Sequence, residues 1–275
     1  MLAALAAAGL SPFSLSGSRF SLPAFRFSRL GLQLYTLRRL ITQDVDGTLS
    51  AVARMGYKEV ETAGYGGKTP AEFRKSLDAA GLVSPSAHTS INAIETGLPA
   101  QLDICATVGH KWLVVPSLPN SFRSADGYKR VGEILGKAAQ QAKSAGVRIA
   151  FHNHAEEFAA VGDTTGIDLI LQNSPADVAA ELDVYWIVKA GGDPFAFIDK
   201  YARRVKMLHL KDASAAPELA MRDVGSGTID WRRLLPKAEA AGVEHVFVEH
   251  DNPGADPLAA VKSSYDYLSK LPTGR

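Results

Sequence analysis

One cysteine, Cys105, is all that the 275 residues contain, so no disulfide can form within the chain and no cysteine-rich metal cluster can be built. Charge of one sign is lacking too: thirty Lys and Arg against twenty-nine Asp and Glu leave a formal net charge of +1. No strong field argues for nucleic acid or an anionic membrane as partner. Nucleotide fingerprints are also missing. GYGGK at Gly64–Lys68 follows a strand-like run, but its glycines have the spacing of neither a dinucleotide-binding turn nor a P-loop, so it reads as a flexible loop. The apolar run Met1–Leu10 is too short to span a bilayer, which needs about 20 such residues. Hydrophobic residues make up 46% and charged residues 21%, values normal for a globular chain with a sizeable core. Together these features point to a small, locally recognised ligand.

Met1–Leu10 is followed by the small and polar stretch Ser11–Ser18, a pair of features that resembles the core and cleavage region of a secretory signal. The basic segment that normally precedes such a core is absent. The expectation is a periplasmic or secreted protein, with a cytoplasmic protein carrying an apolar tail as the alternative. Residues 1–28 are assigned to the leader and 29–275 to one folded domain.

From Leu30 onward, short apolar or β-branched runs alternate with amphipathic segments. The runs are Gly31–Leu37, Lys58–Ala63, Val83–Thr89, Trp112–Pro116, Val147–His154, Val178–Val184, Val205–Lys211 and Val246–His250. Helices are expected at Leu49–Met55, Pro70–Ala80, Pro99–Val108, Tyr128–Ala145, Gly166–Gln172, Pro194–Tyr201, Trp231–Ala241 and Asp256–Leu271. Pro70, Pro99, Pro194 and Pro257 fall near helix starts, where a missing N–H costs little. Gly81, Gly146 and Gly242 follow helical segments and precede apolar runs, the position of a C-terminal cap. Eight strand–helix units without a long unpatterned stretch favour a single-domain (β/α)8 TIM barrel over an open doubly wound sheet.

A barrel of this kind carries its chemistry at the C-terminal ends of the strands. The fifth run closes as IAFHNH, with His152 and His154 on one face around Asn153. The sixth reaches Asp183, the seventh reaches His209 and Lys211 on one face, and the eighth reaches Glu249. Carboxylates and imidazoles converging on one mouth suit Mn²⁺, Zn²⁺, Co²⁺ or Fe²⁺, whereas Mg²⁺ alone would use fewer imidazoles. Buried carboxylates are rare unless paired, so structural ion pairs are the competing reading for Asp183 and Glu249. His209 alone has the bland alternative of a satisfied core histidine. Of His152 and His154, one reads as a ligand and the other as a substrate contact, with both simply hydrogen-bonding loops as the alternative. Lys211 reads as a general acid or as a partner of Asp212. Glu61 and His88 end the second and third runs and, with Gln33 after the first and Asn153 in the fifth, are candidates to hydrogen-bond substrate hydroxyls, with structural roles as the alternative. Trp186 offers an apolar wall for the C–H face of a sugar. VGSGTIDW supplies a glycine loop before a helix, with Asp230 as its cap.

Taken together, GLQLYTLR, YKEVETAGY, FHNHAEEF, ELDVYWIVKAGGDPFAFIDKYARRVKMLHLKD, VGSGTIDW and VFVEHD resemble the xylose isomerase-like TIM barrels, the sugar phosphate isomerases/epimerases, from Leu30 to Leu271. The resemblance implies a divalent ion, of the Mn, Zn, Co, Fe or Mg class, held by residues at the ends of strands five to eight. Asp183, His209 and Glu249 match the last three of these. Where the family usually reads ENH this chain reads His152–Asn153–His154, so His152 takes the place of the usual glutamate. That departure weakens a two-glutamate epimerisation scheme, although histidine is a competent base near neutral pH.

The function expected from the resemblance is a metal-dependent isomerase or epimerase of a small sugar or polyol, with Glu249 or His154 abstracting a proton next to a carbonyl. The alternative is a lyase or dehydratase acting on a keto sugar, a 3-keto-glycoside or a keto-inositol. A non-catalytic sugar- or metal-binding barrel is the reading from a different class, and the balanced charge speaks against an abasic-site endonuclease. A homo-oligomer stays open.

Overall fold

The computed structural model describes residues 29–272, so the expected leader lies outside the described residues. Eight parallel strands close into a barrel: β1 (Gly31–Gln33), β2 (Glu59–Thr62), β3 (Val83–His88), β4 (Trp112–Val115), β5 (Arg148–His152), β6 (Ala179–Asp183), β7 (Val205–Leu210) and β8 (His245–Val248). Each pairs with its sequence neighbours. Closure comes from β1 against β8, with Gly31 opposite Phe247 and Leu32 opposite Val248. The glycine is required there, because a Cβ on Gly31 would lie 2.4 Å from the Phe247 ring. Phe247, Met207, Trp112, Val114, Ala150 and Ala179 fill the lower barrel as one buried cluster. Around them, a larger apolar layer packs between the strands and the helices.

The helices are α1 (Arg38–Gln43), α2 (Val45–Met55), α3 (Pro70–Ala80), α4 (Ile91–Val108), α5 (Ala125–Ala142), α6 (Gly166–Gln172), α7 (Val184–Lys189), α8 (Pro194–Lys200), α9 (Trp231–Ala240) and α10 (Pro257–Leu268). Pro70, Pro194 and Pro257 occupy first-turn positions as expected. Gly81 ends α3 with a left-handed φ of 69°, a conformation that costs glycine nothing. Two differences from the sequence expectation have clear causes. α4 starts at Ile91, capped by Ser90, eight residues before Pro99, and breaks at Gly97. Pro99 thus opens the second part of a kinked helix, since its ring cannot follow an unbroken turn. α7 is a helix although VYWIVK is rich in strand-forming residues. The Asp183 carboxylate accepts the Trp186 N–H at 3.1 Å and caps it.

No helix among the described residues is long and apolar enough to cross a membrane. Cys105 is buried in α4, where burial pushes its thiol up to about 12. At pH 8 the native protein is therefore expected to react with a thiol reagent at least about 10²-fold more slowly than the denatured chain, which should titrate as one thiol. Rapid labelling of the native protein would contradict the packing of α4.

Candidate active site

Successive strand ends deliver ionisable groups to the C-terminal mouth in two tiers. The lower tier is built from β2, β3, β5, β6 and β7. Gln33 donates to Glu61 Oε2 at 2.6 Å and Ser86 donates to Glu61 Oε1, which fixes that carboxylate between its two neighbouring strands. Glu61 Oε2 also lies 2.7 Å from His209 Nε2 and 3.1 Å from His88 Nε2. Glu181 Oε2 meets His88 Nε2 at 2.9 Å, and His152 Nδ1 and His209 Nε2 at 3.2 Å each. Burial works against the charge on Glu61, but the adjacent His88 and His209 hold it well below the usual carboxylate range. Burial likewise opposes protonation of His88, and Glu61 and Glu181 override it to raise the ring to about 9. His152 goes the other way, lowered by burial and by the neighbouring His209.

The upper tier is organised by Lys211. Its ammonium is only 1% exposed and lies 2.8 Å from Asp183 Oδ2, Glu249 Oε2 and Asp251 Oδ1. Burial disfavours this charge, but the three carboxylates hold the lysine pKa well above its ordinary value. Burial pushes Asp183 up to about 6 against the pull of Lys211 and His209, whereas at Glu249 the same two partners overcome burial and keep it ionised. Asn153 fastens β5 to β6 by accepting the Asp183 N–H at 3.0 Å and donating to the Asp183 carbonyl at 3.3 Å. Lys211 does not pair with Asp212. That carboxylate instead accepts from Gly225 N, Ile229 N and Trp231 Nε1 at 2.9, 3.2 and 2.8 Å, tying down the VGSGTIDW loop.

Above the tiers opens a cavity of about 820 Å³. Its lining combines the ionisable His88, His152, His154, Lys211, Glu249 and Asp251 with apolar residues that include Ile91 and Leu118. His154 lies beside Trp186, with ring centroids 5.4 Å apart. Burial, then the Lys211 charge, pulls His154 down to about 4, so its ring is neutral at pH 7. Tyr35 stands at the rim with the Arg38 guanidinium over its ring.

Of the residues expected to contact substrate, His88 lines the cavity, whereas Gln33, Glu61 and Asn153 are fully buried. Gln33 and Glu61 do not line the cavity; Gln33 anchors Glu61, and Glu61 meets His209. Sequence reasoning passed over Glu181 and Asp251. Glu181 could have been found by the period-two rule, because it shares the inward face of β6 with Asp183. His110 is buried between the Tyr65 hydroxyl and the Ser84 carbonyl, and His245 pairs with Glu59 at the far end of the barrel.

Two donor groups fit a divalent ion: His88, His152, Glu181 and His209, and Asp183, His209 and Glu249, each with ligand atoms within 4.8 Å of one another. His152 Nδ1, Glu181 Oε1, Asp183 Oδ2 and His209 Nδ1 are buried without an aligned hydrogen bond. Nitrogen and oxygen donors with unspent lone pairs are the chemistry such an ion requires.

Fold and mouth define a (β/α)8 barrel with its reactive groups at the strand C-termini. A family model described as the xylose isomerase-like TIM barrel matches residues 49–271, and the chain belongs to that family. It is 24% identical to an inosose dehydratase of Lacticaseibacillus casei over 254 residues, 78% of this chain and 85% of that one. It is 26% identical to an inosose dehydratase of Clostridium beijerinckii over 189 residues, which is 61% of this chain and 63% of that enzyme, just under two thirds of its length. A sugar phosphate isomerase/epimerase from Parabacteroides distasonis superposes with a TM-score of 0.76 at 28% identity, covering 87% of this chain and 93% of that one.

Proposed function

We propose that the protein is a divalent-metal-dependent enzyme that removes the proton next to the carbonyl of a keto sugar or keto-polyol and then expels a β-oxygen substituent. The observation that carries this reading is the meeting, in the lining of one cavity, of a neutral imidazole, His154, with a buried ammonium, Lys211, and an ionised Glu249. The inosose dehydratases among its relatives support elimination as the outcome.

His154 offers an unprotonated ring nitrogen to the proton beside the carbonyl, and Trp186 packs against that ring. Lys211 donates a hydrogen bond or a proton to oxygen as charge shifts onto it or as the β-substituent leaves. Glu249, the other candidate base, keeps that ammonium in place. Lys211 and Glu249 are themselves almost fully buried, which strengthens these interactions. A divalent ion in either donor group of the floor would polarise the carbonyl and stabilise the negative charge that develops on its oxygen.

Isomerisation or epimerisation is the second reading, favoured by the Parabacteroides distasonis likeness, and it shares the first step. Incubation of the Mn²⁺-loaded protein with keto sugars, keto-inositols and 3-keto-glycosides in D₂O tests both. Deuterium wash-in at the carbon beside the carbonyl establishes proton abstraction. An unsaturated product supports elimination, and an isomer or epimer replaces it with the second reading. Bound metal with neither wash-in nor product would make this a binding protein. His154→Ala is expected to lower turnover by roughly 10²-fold, the size of a lost general-base contribution, with metal content unchanged.

A further inference from the structure

Hydrogen bonds account for only part of the convergence in the lower tier: Glu61 is held by Gln33, Ser86 and His209, and Glu181 Oε2 by His88, but two buried atoms are left over. His152 Nδ1 is 3.2 Å from Glu181 Oε2 yet is out of line for a hydrogen bond, and Glu181 Oε1 has no partner either. Both residues are at most 1% exposed. Glu61 and Glu181 are equally buried, and among the described residues their ion-pair partners are all histidines, with no lysine or arginine in reach. Two carboxylates in the middle of a barrel need compensating positive charge, and here it can come only from the imidazoles beside them or from an ion that those imidazoles help to hold.

The upper tier is different, because it already has a permanent cation. Lys211 Nζ sits 2.8 Å from both Asp183 and Glu249, and a dication seated between the same carboxylates would press against the ammonium at close range. The orientation of the shared rings points the same way. His209 directs Nε2 at Glu61 and Glu181, while its Nδ1 lies 2.7 Å from Glu249 Oε2. His152 directs Nδ1 at Glu181, while its Nε2 lies 3.7 Å from Asp183 Oδ2. A metal-bound imidazole characteristically turns one nitrogen to the ion and the other to a carboxylate.

We propose that the divalent ion of this chain is held by His88, His152, Glu181 and His209, with Glu61 as a further donor, one tier below the Asp183–His209–Glu249 group. Lys211 serves that upper group in place of a metal. The assignment rests on the metal-dependent reading above and changes which residues carry it. Asp183 and Glu249 become carboxylates that orient ligand histidines and hold Lys211 at the cavity. Three imidazoles with carboxylates select Zn²⁺, Co²⁺, Fe²⁺ or Mn²⁺ over Mg²⁺ or Ca²⁺, which prefer all-oxygen shells.

The test strips the full-length protein with a chelator, reloads it with Co²⁺ and then with Zn²⁺, and reads bound metal per chain by mass spectrometry and the Co²⁺ visible spectrum. Wild type is expected to hold one ion. Glu181→Gln, close in shape to the native residue, and His88→Ala should weaken binding by at least about 10²-fold, and Asp183→Asn by less than about tenfold. Circular dichroism separates lost affinity from lost folding, and Glu181→Gln keeps the test decisive should His88→Ala not fold. Loss of the ion in Asp183→Asn with retention in Glu181→Gln would overturn the placement and return the ion to the upper tier. Two ions per chain in wild type would overturn it as well. A wild type that holds no ion but still exchanges deuterium would remove the metal-dependent reading itself.

Discussion

Replacing Lys211 with methionine is expected to destabilise the folded chain by about 3–5 kcal/mol, the usual cost of removing one partner from a buried ion pair. The substitution keeps most of the side chain's length and volume but withdraws the only lysine or arginine charge that, among the described residues, pairs with Asp183 and Glu249, and the one that also reaches Asp251. Two of these carboxylates are nearly inaccessible to water, with Asp183 at 0% and Glu249 at 5% exposure, so solvent cannot take over the role. Urea denaturation monitored by tryptophan fluorescence should show a lower midpoint with an unchanged slope. A shift worth less than about 1 kcal/mol would mean that the three carboxylates are not held together by the ammonium.

Asp212→Ala is expected to have an effect of similar size, for a different reason. The carboxylate of Asp212 is fully buried and accepts from the backbone N–H groups of Gly225 and Ile229 and from the indole of Trp231. Alanine removes their acceptor, and that of the Ala213 N–H, which donates to the same carboxylate at 2.8 Å; Trp231 and Ala213 are fully buried and cannot turn to water, and each unsatisfied buried donor costs roughly 1–3 kcal/mol. The expected loss is about 3–5 kcal/mol, with Asp212→Asn losing less because its side-chain oxygen can still accept. Hydrogen exchange should localise the change to the 223–231 segment. Unchanged protection there would show that the loop holds its shape without Asp212, by chain geometry and its two glycines.

The capping role of Asp230 was legible in the sequence, and the structure adds why the loop before it has its shape. Asp230 accepts the Arg233 N–H at 3.2 Å, a contact within one helical turn. Asp212 reaches Gly225, Ile229 and Trp231 across 13 to 19 residues of chain. Its adjacency to Lys211 suggests a pair, because adjacency in sequence is visible and alternation of strand faces has to be inferred. Successive residues of an extended segment point to opposite sides, so Lys211 enters the barrel and Asp212 leaves it.

The same distinction separates what the sequence determined from what the tertiary structure decided. Alternation of apolar runs with amphipathic segments, and glycine at Gly81 and Gly146 with left-handed φ after helices, belong to local chain geometry, and they specify the barrel. The strand-end placement of His152, Asp183, His209 and Glu249 is local too, because it follows from where each apolar run stops. Which groups meet is not local. His209 faces Glu61 across 148 residues and Glu181 faces His88 across 93. Glu181 lies inside an apolar run, where a charge would be too costly unless other strands brought it partners. Closure and register of the barrel bring those partners, and they place Lys211 between Asp183 and Glu249, because inward-facing side chains from different strands share one narrow interior only after the sheet has closed.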